Sequence, residues 1–167
     1  MCQTKIPKMS DQDIQKLQTE SIPANDAKIS SVSRDESNQL HESEELVHYI
    51  ADAAPVLIWI SDTTKKCIWL NKPWLEFTGR TMEQEYGDGW AESLHPQDFD
   101  RCIAIYFSSF EARKEFSIEY RLRRHDGKYR WMLVNGVPRF MSDGEFSGYI
   151  GSCIDITERK QVEETLR

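Results

Sequence analysis

Apolar and polar positions change their spacing several times along this chain of 167 residues. Between Ser43 and Ala53, the residues Leu46, Val47, Ile50 and Ala53 recur at helical intervals, which predicts an amphipathic helix. Ser43 can cap it, Glu44 and Glu45 suit the positive end of its dipole, and Pro55 stops it. Val56 to Ile60 is an unbroken apolar run with the length of a buried strand. Asp62-Thr63-Thr64-Lys65-Lys66 then makes a turn, and Cys67 to Leu70 returns as a second strand. Asn71 can cap a short helix that has Pro73 in its first turn and Gly79 at its end. A loop through Gly87-Asp88-Gly89 leads to His95-Pro96-Gln97-Asp98, which opens the most regular helix. There Phe99, Cys102, Ile103, Tyr106, Phe107 and Phe110 keep a helical period.

After Lys114 the period falls from 3.6 to 2. Phe116, Ile118, Tyr120 and Leu122 alternate with Ser117, Glu119, Arg121 and Arg123, the signature of a strand with one buried face. Asp126-Gly127 supplies the commonest tight hairpin signal, and Tyr129 to Val137 returns with Tyr129, Trp131 and Leu133 alternating. A second turn at Asp143-Gly144 leads into a last strand, Phe146 to Ile156. Thr157 can cap a final helix in which Val162 and Leu166 lie four apart, too few positions to define a coiled coil. This order predicts an α+β fold, an antiparallel sheet with helices covering one face.

Composition divides the chain. Residues 1–41 hold no Trp, Tyr, Phe or Gly, so they bury too little to offset their ordering entropy and read as a disordered polar tail. The domain is expected over 42–157, with its flanking helix at 43–53, and residues 158–167 begin a C-terminal helix. A net charge of -7 argues against nucleic acid, although Arg121, Arg123 and Arg124 cluster locally. The cysteines Cys2, Cys67, Cys102 and Cys153 form no C-x-x-C pair and have no histidine cluster beside them, so no metal site is expected. No apolar run reaches the length of a membrane span, and no signal peptide opens the chain, so a cytoplasmic location is expected. Catalysis finds no support. There is no G-x-S-x-G, phosphate-cradling loop or HExxH, and His48, His95 and His125 fall in separate elements. The pairs Glu44-Glu45 and Glu163-Glu164 read as solvated helix-end charge.

Several segments, taken in order, closely resemble the PAS family, specifically PAS domains followed by a C-terminal PAC motif. They are Ile58-Trp59-Ile60-Ser61-Asp62, Trp69-Leu70-Asn71-Lys72-Pro73-Trp74 running to Phe77-Thr78-Gly79-Arg80, and Trp90 with Leu94-His95-Pro96-Gln97-Asp98. Glu119-Tyr120-Arg121-Leu122-Arg123, His125-Asp126-Gly127 and Arg130-Trp131 follow. Gly148 to Lys160, ending Asp155-Ile156-Thr157-Glu158-Arg159-Lys160, is the most distinctive piece. The resemblance implies a five-stranded antiparallel sheet around a small pocket. It also implies a sensory input module of the kind found in histidine kinases and cyclic-di-nucleotide signalling proteins.

By that resemblance the pocket would be lined by Trp74, Phe77, Ile103, Tyr106, Ile118, Trp131 and Leu133, residues that equally suit a filled core. A covalent, light-oxygen-voltage type of flavin site needs a cysteine after Gly79, and none lies between Cys67 and Cys102. Haem is disfavoured because the long helix carries no histidine past His95, which reads as a surface or capping residue. A non-covalent flavin or a small organic ligand stays open. Asp155 and Thr157 mark the signal exit, where a carboxylate and a hydroxyl can hold the free amides of the last helix. Leu46, Val47 and Ile50 offer a face for a homodimer, and a downstream output domain is the other expected partner. A ligand-free dimerisation module is the alternative reading. Arg167 falls within a helix that in this family leads onward, so the chain reads either as a piece of a larger receptor or as a stand-alone domain.

Overall fold

The computed structural model describes the backbone of residues 26–167 and the side chains from residue 34 onward. Residues 1–25 of the tail expected over 1–41, with Cys2, lie outside the described residues. Helix α1 runs over Asp26–Ala53, starting 17 residues before Ser43 (43 less 26) and taking in residues 26–41 of the expected polar tail. The reason is local, since this stretch holds no Gly or Pro to interrupt it. Ser43 therefore sits inside the helix, where its hydroxyl donates to the Leu40 carbonyl at 2.9 Å rather than capping.

The chain divides into two compact units between Glu45 and Leu46. In the first, the described part is α1 through Glu45, with His41 Nε2 lying 3.1 Å from Glu45 Oε1 one turn away. The second unit holds β1 (Leu57–Ser61), β2 (Cys67–Leu70), α2 (Lys72–Thr78) and α3 (Met82–Glu85). A single 3-10 turn (Gly89–Ser93), α4 (Pro96–Ala112), β3 (Phe116–Arg123), β4 (Tyr129–Phe140), β5 (Phe146–Asp155) and α5 (Thr157–Thr165) follow.

The five strands form one antiparallel sheet in the order β2-β1-β5-β4-β3, with the helical middle crossing over between β2 and β3. Alternation along each strand sends Leu57, Trp59 and Ser61, the even positions of β3 and β4, and Tyr149, Gly151 and Cys153 toward the helices. Leu122, Met132, Tyr149 and Cys153 lose all their exposed surface there. The opposite face carries Ile58, Ile60, Trp69, Leu133, Ile150 and Ile154, and the end of α1 meets it where His48 lies 5.3 Å from Trp69.

The capping chemistry follows the sequence closely. Asn71 caps α2 by accepting from the Trp74 amide, and Gly79 ends it at φ 67°. The fully buried Asn71 side chain does more, because its Oδ1 accepts from Ile58 N–H and its Nδ2 donates to the carbonyls of Ala51 and Val56. One amide thus ties α1, β1 and α2 together. His95 caps α4, its Nδ1 accepting from the Gln97 amide at 3.2 Å, with Pro96 as the first helical residue.

Candidate functional site

Between the sheet and α4 the inward side chains leave a cavity of about 50 Å³. That is several times the roughly 10–15 Å³ one water needs. Six of its thirteen lining residues carry rings: Trp59, Trp74, Trp90, Tyr106, Phe116 and Tyr120. Tyr106 stands at the centre of this cage, edge-on to Trp59 at 5.9 Å and to Trp90 at 6.2 Å. The polar atoms gather at one end. The Tyr106 hydroxyl donates to Ser61 Oγ at 3.0 Å and lies 3.4 Å from the Lys65 carbonyl.

Two glycines make the space. Gly136 and Gly151 pair across β4 and β5, and both face inward. A Cβ on Gly151 would meet Trp59 ring atoms at 2.2 Å, and one on Gly136 would meet Phe116 at 2.4 Å. The two rings can therefore lie flat on the sheet, stacked at 6.1 Å between centroids, because nothing projects beneath them.

The lining is electrically quiet. Burial pushes the thiols of Cys67 and Cys102 up to about 12 and about 11, and the Tyr106 phenol up to about 12, so all three stay protonated at neutral pH. Lys65 carries the lining's one cation, and its ammonium is engaged by Glu111 Oε1 at 2.6 Å and lies over the rings of Phe110 and Phe107. Behind the wall, the Trp74 indole N–H donates to Glu85 at 3.0 Å. That fully buried carboxylate also pairs with Arg80.

Of the seven residues expected in the lining, Trp74, Tyr106 and Ile118 are there, while Phe77, Ile103, Trp131 and Leu133 are not. Phe77 is half-buried and packs on the core beside the cavity. On α4 the buried stripe is Cys102, Tyr106 and Phe110, every fourth residue, which leaves Ile103 to one side and Phe99 and Phe107 largely exposed. Trp131 and Leu133 are on the wrong face of the sheet for a physical reason. A two-residue turn at Asp126-Gly127 would set them opposite the inward residues of β3. The loop between Arg124 and Lys128 instead has three residues, His125-Asp126-Gly127, with Gly127 at φ 80°. That pairs Tyr120 with Met132 and Ile118 with Val134, and the extra residue reverses every side chain of β4. Of the residues missed, Val134 follows once the loop length is known and Cys102 once the α4 stripe is, while Trp59 of β1 and Trp90 of the 3-10 turn follow from neither.

Where β5 passes into α5, Asp155 Oδ1 accepts from the Thr157 amide at 2.9 Å and Oδ2 from Arg130 Nε at 2.8 Å. Partial burial would raise the Asp155 carboxyl, but the bonds from Thr157 and Arg130 outweigh it and leave the group below its ordinary value. Thr157 does not cap α5; the N-cap is Ile156, and the Thr157 hydroxyl accepts from the Trp131 amide at 2.9 Å instead. The helix is clamped further along by Glu119, which pairs with Arg159 at 2.5 Å and with Lys160. Trp131, displaced from the cavity, sits here. Its ring lies 5.3 Å from the Lys160 ammonium and 5.2 Å from the Arg121 guanidinium. Arg121 in turn makes two side-chain bonds of 2.9 Å to Asp98 in the first turn of α4. A continuous set of contacts thus joins α4, which walls the cavity, to α5.

Comparison with known proteins agrees with this architecture. A family model described as the PAS fold matches residues 68–153. The uncharacterized protein y4lL of Sinorhizobium fredii is 41% identical over 75% of this chain, and the peroxide stress-activated histidine kinase mak1 of Schizosaccharomyces pombe is 26% identical over 85%. The matched regions span only 15% and 9% of those two proteins. Among solved structures, an RNA-binding light-oxygen-voltage receptor shares the fold with a TM-score of 0.65 and 21% identity, over 74% of this chain and 36% of its own. The chain belongs to the PAS-fold family.

Proposed function

We propose that this chain is a sensory and regulatory module of a signal-transduction protein, the input part of a system of the histidine-kinase type. The observation that carries the proposal is the run of contacts from α4, whose Cys102 and Tyr106 line the cavity, through Asp98, Arg121 and Trp131 to Lys160 of α5. An occupant that prefers one pose of α4 would bias the pose of α5, provided it binds one state better than the other. The histidine-kinase relative mak1 supports this setting. The module does no chemistry of its own, and its output is carried by a downstream partner in the cytoplasm. Among the described residues no helix is long and apolar enough to cross a membrane.

The coupling is tested by fusing the chain to a reporter kinase and replacing Asp155→Ala. Output in the fusion is expected to lose its dependence on the input while the domain stays folded. Equal signalling by wild type and variant would overturn the reading.

A second reading, a dimerisation module, is favoured by one observation. Leu46, Val47, Tyr49 and Ile50 near the end of α1 are 57–72% exposed, an unusual run for a solvated helix. Native mass spectrometry decides it. A dimer that Val47→Asp and Ile50→Asp dissociate is the expected result on this reading, and a monomer at micromolar concentration would contradict it.

A further inference from the structure

We propose that the last turn of α1 is a second port into the domain, coupled to the cavity wall at Trp74 through Asn71 and Asp52 and independent of α5. This rests on reading that wall as the part that moves, and it names a further element that moves with it. The described side chains of α1 from Arg34 to Ile50 are exposed, so the helix is held chiefly at its end. A helix end leaves its last carbonyls without intrahelical partners. Here the Ala51 carbonyl accepts from Asn71 Nδ2 at 2.8 Å. Asp52 Oδ1, one residue on, accepts from the Lys72 amide at 2.7 Å, a free N–H of the first turn of α2. Two bonds thus join the last turn of α1 to the first turn of α2.

Asn71 has no slack with which to absorb a shift. Its amide is fully buried and uses both hydrogens and both lone pairs, on Ala51, Val56, Ile58 and Trp74. Moving Ala51 away strands a buried donor unless α2 follows. With only seven residues, α2 follows as one body. Its third residue is Trp74, whose ring walls the cavity and whose indole N–H donates to Glu85 at 3.0 Å. The other end of α2 is fixed by the His125 amide, which donates to the Phe77 carbonyl at 2.8 Å. A push on α1 therefore pivots α2 about Phe77 and swings Trp74 against the cavity.

Such coupling is reciprocal, so it is tested from both ends. The full chain is labelled with 5-fluorotryptophan, and the fluorine resonances of its five tryptophans are assigned by single Trp→Phe replacements. Asp52→Ala, which removes the acceptor, should displace the Trp74 resonance and leave in place that of Trp131, which lies beside Lys160 of α5. Asp52→Asn, which keeps Oδ1, should restore it. From the other end, Trp74→Phe should speed amide exchange in α1 from Tyr49 to Ala53 about fivefold, the worth of one hydrogen bond, with β4 as protected as in wild type. An unmoved Trp74 resonance in Asp52→Ala, a Trp131 resonance that moves with it, or Asp52→Asn behaving as Asp52→Ala would each overturn the proposal. So would unchanged α1 exchange in Trp74→Phe. If β4 also loses protection in that variant, the Asp52 pair decides alone. The Asp155→Ala fusion reads α5 and not α1, so a failure here with intact coupling there removes only the second port.

Discussion

Glu85 has no exposed surface, yet it is a carboxylate, and two donors explain how it is tolerated. Trp74 Nε1 and Arg80 Nε both point at it, and Arg80 also reaches Glu92 and the carbonyls of Gln84 and Gly89. Removing Glu85 leaves the buried Trp74 indole N–H without its acceptor, while Arg80 keeps Glu92 and the two carbonyls. Glu85→Ala is therefore expected to cost about 1–3 kcal/mol in urea denaturation. An unchanged stability would mean that the indole N–H finds another acceptor. Gly151 makes the opposite kind of demand, because the problem there is adding an atom. Its Cβ would sit 2.2 Å from Trp59 and 2.4 Å from the Asn135 carbonyl, and the latter is backbone that cannot swing aside. Gly151→Ala should destabilise by about 1–3 kcal/mol. Nothing in the sequence marked Gly151 or its partner Gly136, because an inward glycine in a strand looks like any other until its cross-strand neighbours are known.

At the scale of elements, spacing was a good guide wherever one face is buried and the other wet. The strand β2, the start of β3, and the caps at Asn71, Gly79 and His95 were all legible because local chemistry determines them. β4 was not, since it carries apolar residues on both faces: Met132 and Val134 inward, Trp131 and Leu133 outward. Its orientation depends on one residue in the loop after β3, and periodicity cannot choose between two apolar faces. The start of α1 was missed for the reverse reason. Helix formation there follows from the lack of breakers, without burial of an apolar face, and the described side chains from Arg34 to Ile50 are exposed. The last helix illustrates how weak contacts can still set geometry. Glu119 pairs with Arg159 and Lys160 on a partly exposed surface, where ion pairs contribute about 1 kcal/mol or less. Glu119→Ala should thus leave the urea midpoint almost unchanged while α5 amides exchange faster. A large stability loss would show that the clamp carries the fold as well as the helix.

For the whole molecule, acid is the most informative perturbation. The Asp98 carboxyl is held below its ordinary value first by the Arg121 side-chain bonds, with burial opposing them, and Asp155 is also held low. A carboxylate whose folded value is depressed stabilises the protein above its unfolded value, near 3.8, and that contribution is lost as pH falls through the folded value. Stability should therefore fall as pH drops below about 4–5, where the unfolded chain binds more protons. In Asp98→Asn the fall should be shallower, and an equally steep fall would remove Asp98 from the account.

The same residue gives the most direct test of the proposal that the cavity wall and α5 move as one. Asp98 belongs to α4 and reaches α5 through Arg121 and Trp131, and Arg101, 3.8 Å from Asp98, adds a second route through Glu119 to Arg159 and Lys160. Hydrogen exchange should be measured across the chain in wild type and in Asp98→Ala. The account predicts that amides of α5, from Lys160 to Thr165, exchange several-fold faster in the variant, along with the first turn of α4. Acceleration confined to α4 and β3, with α5 protected as in wild type, would contradict it.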